Sequence, residues 1–297
     1  MKRWDAALTC RTANLSERDR DSSLFHRTAS RTFIALRSRF CNEGTFENFM
    51  TTAKDKLIVA LDVDTGGRAL TLVEQLKDSV GMFKVGMQLF TAAGPEMVRQ
   101  IISQGNRVFL DLKYHDIPNT VAMAAVEATR LGVSLFNIHT TGGTEMMKWT
   151  ANAVAETAAR ENLPSPKVLG VTLLTSIGEQ TLDEIGISGQ PSSVVGRLAK
   201  LAHESGLDGV VASAQEIELI RAAIKENDFL IVTPGIRSAT DATQDQRRTM
   251  TAAEAIRAGA DYIVVGRPII GAADMAVAAG RFIEEIQTAL QARASQA

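Results

Sequence analysis

The chain has 297 residues, 45% of them hydrophobic and 22% charged, the make-up of a soluble globular protein with a substantial core. A formal net charge of -2 and the lack of any Lys/Arg run interleaved with aromatics argue against a nucleic-acid partner, and no stretch approaches the roughly 18 continuous apolar residues of a membrane-spanning helix. Both cysteines, Cys10 and Cys41, precede Lys54, so the remainder can carry neither a disulfide framework nor a thiolate zinc site, which suits the cytoplasm.

Residues 1–53 differ in character from the rest of the chain. They are rich in Arg and Ser, include Arg18-Asp19-Arg20-Asp21 and show no sustained periodicity, so they read as a disordered extension. Asp5, Glu17, Asp19 and Asp21 argue against a transit peptide, and the apolar stretch of a signal peptide is missing. Met50, just ahead of Lys54-Asp55-Lys56, is an alternative start that would make the extension a mis-called one.

Residues 54–297 alternate short apolar runs with helix-length segments. The runs, which predict strands, are Leu57 to Leu61, Met82 to Val85, Val108 to Leu112, Leu135 to Ile138, Val168 to Leu174, Gly209 to Ala212, Leu230 to Val232 and Tyr262 to Val265. Apolar residues at i, i+3 and i+4 predict helices between them, including Ala69 to Leu76, Met97 to Ile102, Val121 to Leu131 and Val194 to Ala202. Gly132, Gly206 and Gly259 stand where helices should be capped ahead of the next strand. Eight β-α units in this length predict a single-domain α/β protein, a (β/α)8 TIM barrel. The alternative, a doubly wound open sheet, calls for Gly-x-Gly-x-x-Gly after its first strand, and Asp62-Val63-Asp64-Thr65-Gly66-Gly67 is not that fingerprint.

The apolar run Val108-Phe109-Leu110 leads straight into Asp111-Leu112-Lys113-Tyr114-His115-Asp116-Ile117-Pro118-Asn119-Thr120, where Pro118 must end the strand. Alternation sets Asp111 and Lys113 on one face, with Asp116 following in the turn. Such charges can leave water only as a mutually compensating array, although a D-x-K pair by itself is commonly a solvated rim ion pair. In a barrel, functional residues gather at the carboxyl ends of the strands. There the sequence sets Asp62, Lys84, Asp111 with Lys113, His139, Thr175, Pro234-Gly235-Ile236-Arg237 and Gly266-Arg267-Pro268. Taken singly, Asp62 could cap the following helix, Lys84 could be a rim lysine, and His139 reads more simply as a hydrogen-bonded structural histidine. Gly266 beside Arg267, with Arg237 in the preceding loop, suits the phosphate site often built after strands seven and eight, so a phosphorylated small molecule is the expected substrate. The rim offers no His or Cys cluster with ligand spacing, so neither metal nor cofactor is expected.

Phe83-Lys84-Val85-Gly86, the stretch from Asp111 to Thr120, Thr233-Pro234-Gly235-Ile236-Arg237 and Val265-Gly266-Arg267-Pro268 together resemble the orotidine 5'-phosphate decarboxylase family, from about Lys56 to the C-terminal helix. The resemblance implies decarboxylation of orotidine 5'-monophosphate to UMP in de novo pyrimidine synthesis. It implies that Asp62 and Lys84 bind ribose hydroxyls, and that Lys84, Asp111, Lys113 and Asp116 form a catalytic charge network with Lys113 as proton donor. Thr175 matches a pyrimidine-contacting position. Arg237, Gln246, Gly266 and Arg267 match phosphate-binding and closing-loop positions, with Ser238 to Arg248 as the lid. A homodimer is implied too, in which Asp116 and Thr120 reach the neighbouring subunit's site. Tyr114 stands where the family varies and should point away from Asp111 and Lys113. The nearest alternative is a Mg2+-dependent phosphosugar synthase or decarboxylase of the same barrel group, which shares D-x-K-x-x-D; Ile117-Pro118-Asn119-Thr120 and Gln246 favour the orotidine family.

Overall fold

Strands buried on both faces must be apolar throughout, and in the computed structural model, which describes residues 52–237 and 250–295, the apolar runs do form such strands. They are β1 (Leu57–Ala60), β2 (Met82–Gly86), β3 (Val108–Tyr114), β4 (Leu135–His139), β5 (Lys167–Val171), β6 (Gly209–Val211), β7 (Leu230–Pro234) and β8 (Tyr262–Val265). Each lies parallel to the next, and β8 returns to pair with β1, closing the predicted barrel. The expectations for residues 1–51, for the lid segment and for Gln246 lie outside the described residues.

Side-chain alternation divides the apolar residues into two shells. Ile58, Ala60, Met82, Phe109, Leu135, Leu169, Val232 and Val264 point inward and fill the barrel. Their neighbours, among them Val59, Phe83, Val85, Leu110, Phe136, Ile138, Ile231 and Ile263, point outward against the helices. Each such side chain taken from water contributes about 1.5 to 3 kcal/mol, so both shells favour the same register. At Gly209 a Cβ would lie 2.3 Å from the Leu230 carbonyl oxygen, so β6 can approach β7 this closely only without a side chain there.

Ten helices are described: α1 (Gly66–Leu76), α2 (Met87–Ser103), α3 (Pro118–Arg130), α4 (Gly143–Glu161), α5 (Glu179–Glu184), α6 (Pro191–Glu204), α7 (Ile217–Ala223), α8 (Ala252–Ala258), α9 (Arg267–Ile270) and α10 (Met275–Ala294). The segment predicted from Met97 to Ile102 is the second part of α2, which breaks at Gly94 (φ 68°) just before Pro95. Helix α8 starts on a capping box between Thr251 and Glu254 and ends at Gly259 in the left-handed region (φ 115°).

Three strand ends differ from prediction by two residues or more, and β7 is one of them, running on from Val232 to Pro234. Strand β5 stops at Val171 rather than Leu174: the Thr172 amide still reaches the Val211 carbonyl at 3.3 Å, but β6 ends at Val211, leaving Leu173 and Leu174 without a ladder. Strand β3 instead runs on to Tyr114, and it does so irregularly. Leu110 pairs with Phe136 and Tyr114 with Ile138, so four residues of β3 advance against two of β4.

Candidate active site

The inward positions at the carboxyl end of β1 to β4 are where the core pattern stops being apolar. Above Ala60, Met82, Phe109 and Leu135 come Asp62, Lys84, Asp111 and Asn137. Lys84 Nζ lies 3.1 Å from Asp62 Oδ1 and 3.3 Å from Asp111 Oδ2, and Lys113 Nζ lies 2.6 Å from Asp111 Oδ1. Carboxylate and ammonium thus alternate along a chain of four side chains. Asp62 is free to join because Thr65, not Asp62, caps α1 by accepting from the Arg68 amide.

Asp111 is the centre of this array, with only 13% of its side chain exposed. Burial alone would raise its pKa. Lys84 and Lys113, with hydrogen bonds from Lys113 and Asn137, outweigh that effect and hold the carboxyl below its ordinary range. His139, the next inward residue of β4, is shifted down by burial first, then by His115 and Lys113, with Asp111 opposing. Its ring packs against that of His115 at 5.2 Å between centroids.

Lys113 carries an unusual backbone. Its φ is 53°, and Asn162, at the end of α4, is the other non-glycine residue with positive φ among those described. A single L-residue in this conformation costs roughly 1 to 2 kcal/mol, and such strain clusters at functional sites. The turned amide bonds to Asn137 Oδ1 at 2.8 Å, while Asn137 Nδ2 donates to Asp111 Oδ1 at 2.7 Å. Alternation nevertheless survives: Leu112 and Tyr114 pack on the outer shell, Tyr114 tilted against Phe136, so Tyr114 points away from Asp111 and Lys113 as expected.

These groups border a cavity of about 380 Å3 that opens at the carboxyl end of the barrel, within the range of small-molecule sites. Asp62, Lys84, Asp111 and Lys113 line one side, and Val171, Leu173, Val211, Ala212, Pro234 and Val264 line the other. Thr175, Gly235 and Gly266 complete the rim. A Cβ on Gly86 would sit 3.0 Å from Lys84 Nζ, so glycine there leaves room for the ammonium.

Of the other predicted residues, Arg237 is half-buried two positions beyond Gly235, and Arg267 is exposed in the first turn of α9, directly after Gly266. Asp116 and Thr120 are also exposed, and neither borders the cavity of its own chain. The Asp116 carboxylate accepts from the Ile117 amide at 2.6 Å. Asn137 was missed by sequence reasoning, which passed over it inside the run Leu135 to Ile138. An amide in a fully buried strand was the available signal, since a polar group there must find partners.

The architecture and the pocket define the class: a (β/α)8-barrel protein with a small-molecule site at the carboxyl end of its strands. A family model described as "Orotidine 5'-phosphate decarboxylase / HUMPS family" matches residues 55–282. The chain is 54% identical over 243 residues to a protein of Syntrophotalea carbinolica named orotidine 5'-phosphate decarboxylase, covering 82% of this chain and 99% of the relative. It is 55% identical over 235 residues to a protein of Geobacter sulfurreducens with the same name, covering 79% and 97%. The crystal structure of orotidine 5'-phosphate decarboxylase from Lactobacillus acidophilus superposes with a TM-score of 0.69 at 37% identity, over 77% of this chain and 98% of that one. The chain belongs to the orotidine 5'-phosphate decarboxylase / HUMPS family.

Proposed function

We propose that the protein converts orotidine 5'-monophosphate to UMP and CO2, the reaction for which these relatives are named. The observation that carries the reading is the Asp62–Lys84–Asp111–Lys113 array at the mouth of a nucleotide-sized cavity. When the bond from C6 to the carboxylate breaks, the electron pair stays on C6, next to no carbonyl that could delocalise it. An ammonium at C6 stabilises that charge and then supplies the proton. Lys113 is the candidate, its Nζ held 2.6 Å from the Asp111 carboxylate; water returns the proton afterwards. Lys84 and Asp62 would hold ribose hydroxyls, and Thr175 the pyrimidine. Gly266, Arg267 and Arg237, with Gln246 from the lid, would hold the phosphate, whose binding energy drives closure. The apolar side of the cavity suits a flat ring.

Loss of the orotate ultraviolet band on mixing the protein with orotidine 5'-monophosphate tests the reading. Dialysis against EDTA should leave the rate unchanged. A rate that returns only with Mg2+, or activity on phosphosugars alone, would move the assignment to the phosphosugar enzymes of this barrel group.

The homodimer belongs to the same reading. Asp116 and Thr120 face solvent beside exposed apolar Ile117 and Met123, a surface suited to a second copy. Separately inactive Lys113→Ala and Asp116→Ala proteins should recover about a quarter of wild-type activity on subunit exchange, since random pairing makes about half the dimers mixed, each with one intact site. Confirmed exchange without recovery would show that Asp116 serves its own chain. No described helix is long and apolar enough to cross a membrane, and a nucleotide monophosphate is a substrate of the cytoplasm, where we assign the protein.

A further inference from the structure

Asn137 lies behind the polar side of the pocket, bonded to Asp111 and Lys113 that line it, yet the decarboxylation chemistry gives it nothing to do. It is fully buried at an inward position of β4, and both ends of its amide are committed. Oδ1 accepts from the Lys113 amide and Nδ2 donates to Asp111 Oδ1, the same oxygen that receives Lys113 Nζ. The contacts form a closed ring through Lys113 backbone, Asn137 amide, Asp111 carboxylate and Lys113 ammonium.

We propose, resting on the decarboxylase reading, that Asn137 is a positioning residue that fixes the backbone and the carboxylate between which the Lys113 ammonium is aimed. The physical case rests on two needs at one place. The left-handed turn at Lys113 swings its N–H out of the β3–β4 ladder, and a buried N–H without a partner is costly. The Asp111 carboxylate, shared between two lysines, must also be held against rotation for Lys113 Nζ to keep one direction. A neutral side chain offering an acceptor and a donor two bonds apart meets both needs: aspartate lacks the donor and leucine lacks both. Without it the ammonium would still be present but free to wander, and a displacement of about 1 Å at a reacting group costs on the order of 100-fold in rate.

The test compares wild type with Asn137→Leu and Asn137→Asp by turnover of orotidine 5'-monophosphate, calorimetric binding of UMP and hydrogen exchange at the Lys113 amide. Asn137→Leu should lower kcat by about 100-fold, leave UMP affinity and KM close to wild type, and expose the Lys113 amide to exchange. Asn137→Asp should keep that amide protected, because its oxygen still accepts, while kcat falls because the donor to Asp111 is replaced by a like charge. Wild-type kcat in a UMP-binding Asn137→Leu protein would overturn the proposal, as would an equal loss of kcat and UMP affinity, which marks a collapsed pocket. Should the leucine protein fail to fold, the aspartate variant decides alone: a protected amide with lowered kcat supports the clamp, and full kcat overturns it. Absence of decarboxylation in wild type, with the Lys113 amide protected there and exposed in Asn137→Leu, would remove the decarboxylase reading while supporting the clamp.

Discussion

The two halves of this barrel share a backbone plan and differ at one layer. In both, the deep inward residues are apolar, with Met82, Phe109 and Leu135 on one side and Leu169, Val232 and Val264 on the other. One step toward the carboxyl rim they part. On β1 to β4 the next inward residues are Asp62, Lys84, Asp111 and Asn137, tied together by ion pairs and hydrogen bonds, whereas Val171, Val211 and Pro234 keep the β5 to β7 wall apolar. The two walls divide the work of the site. Charges facing an apolar wall interact through less water than charges facing one another across a wet cleft, so electrostatic stabilisation is stronger there. The polar half is suited to reaction and the apolar half to holding a ring in place.

That contrast is broken most severely by removing the ammonium. Lys113→Ala should have no measurable turnover in the ultraviolet assay while its circular dichroism and UMP binding persist; substantial residual activity would sink the proposed proton donor. Next in size is Arg267→Ala at the proposed phosphate end, outside both halves. It should weaken UMP binding by about 2 kcal/mol in calorimetry, the worth of a charge-assisted hydrogen bond, with little effect on urea unfolding.

The apolar half should answer in stability before chemistry. Val264→Ala, at a position 6% exposed between the inner shell and the cavity floor, should lose about 1 kcal/mol in urea unfolding. The smallest effect concerns His139, whose folded-state pKa is lowered, chiefly by burial. Since the unfolded chain then binds the proton more readily, stability present above the ordinary histidine value of about 6.5 declines as pH falls through it toward the lowered folded value. His139→Gln should flatten the fall in thermal midpoint over that window. An unchanged slope would place the titration elsewhere.

Much of the barrel was legible in the chain itself. Strands buried on both faces leave uninterrupted Val, Ile and Leu runs, helices leave a 3.6-residue period, and Gly259 marks a cap that only a positive φ can form. The pairing of Asp111 with Lys113 was legible for the same reason, because alternation along a strand is local. The end of β5 was not, since it depends on how far the neighbouring β6 runs. Nor was the left-handed backbone at Lys113, which no residue type there announces and which the Asn137 side chain of another strand accommodates. The order of elements and the charges carried to the rim therefore follow from local pattern, because periodicity and residue type act over a few neighbours. The bridging of Asp62 and Asp111 by Lys84, and the binding of both Asp111 and Lys113 by Asn137, had to await the folded barrel, because those contacts join residues far apart in the chain and only assembly of the sheet brings them within hydrogen-bonding distance.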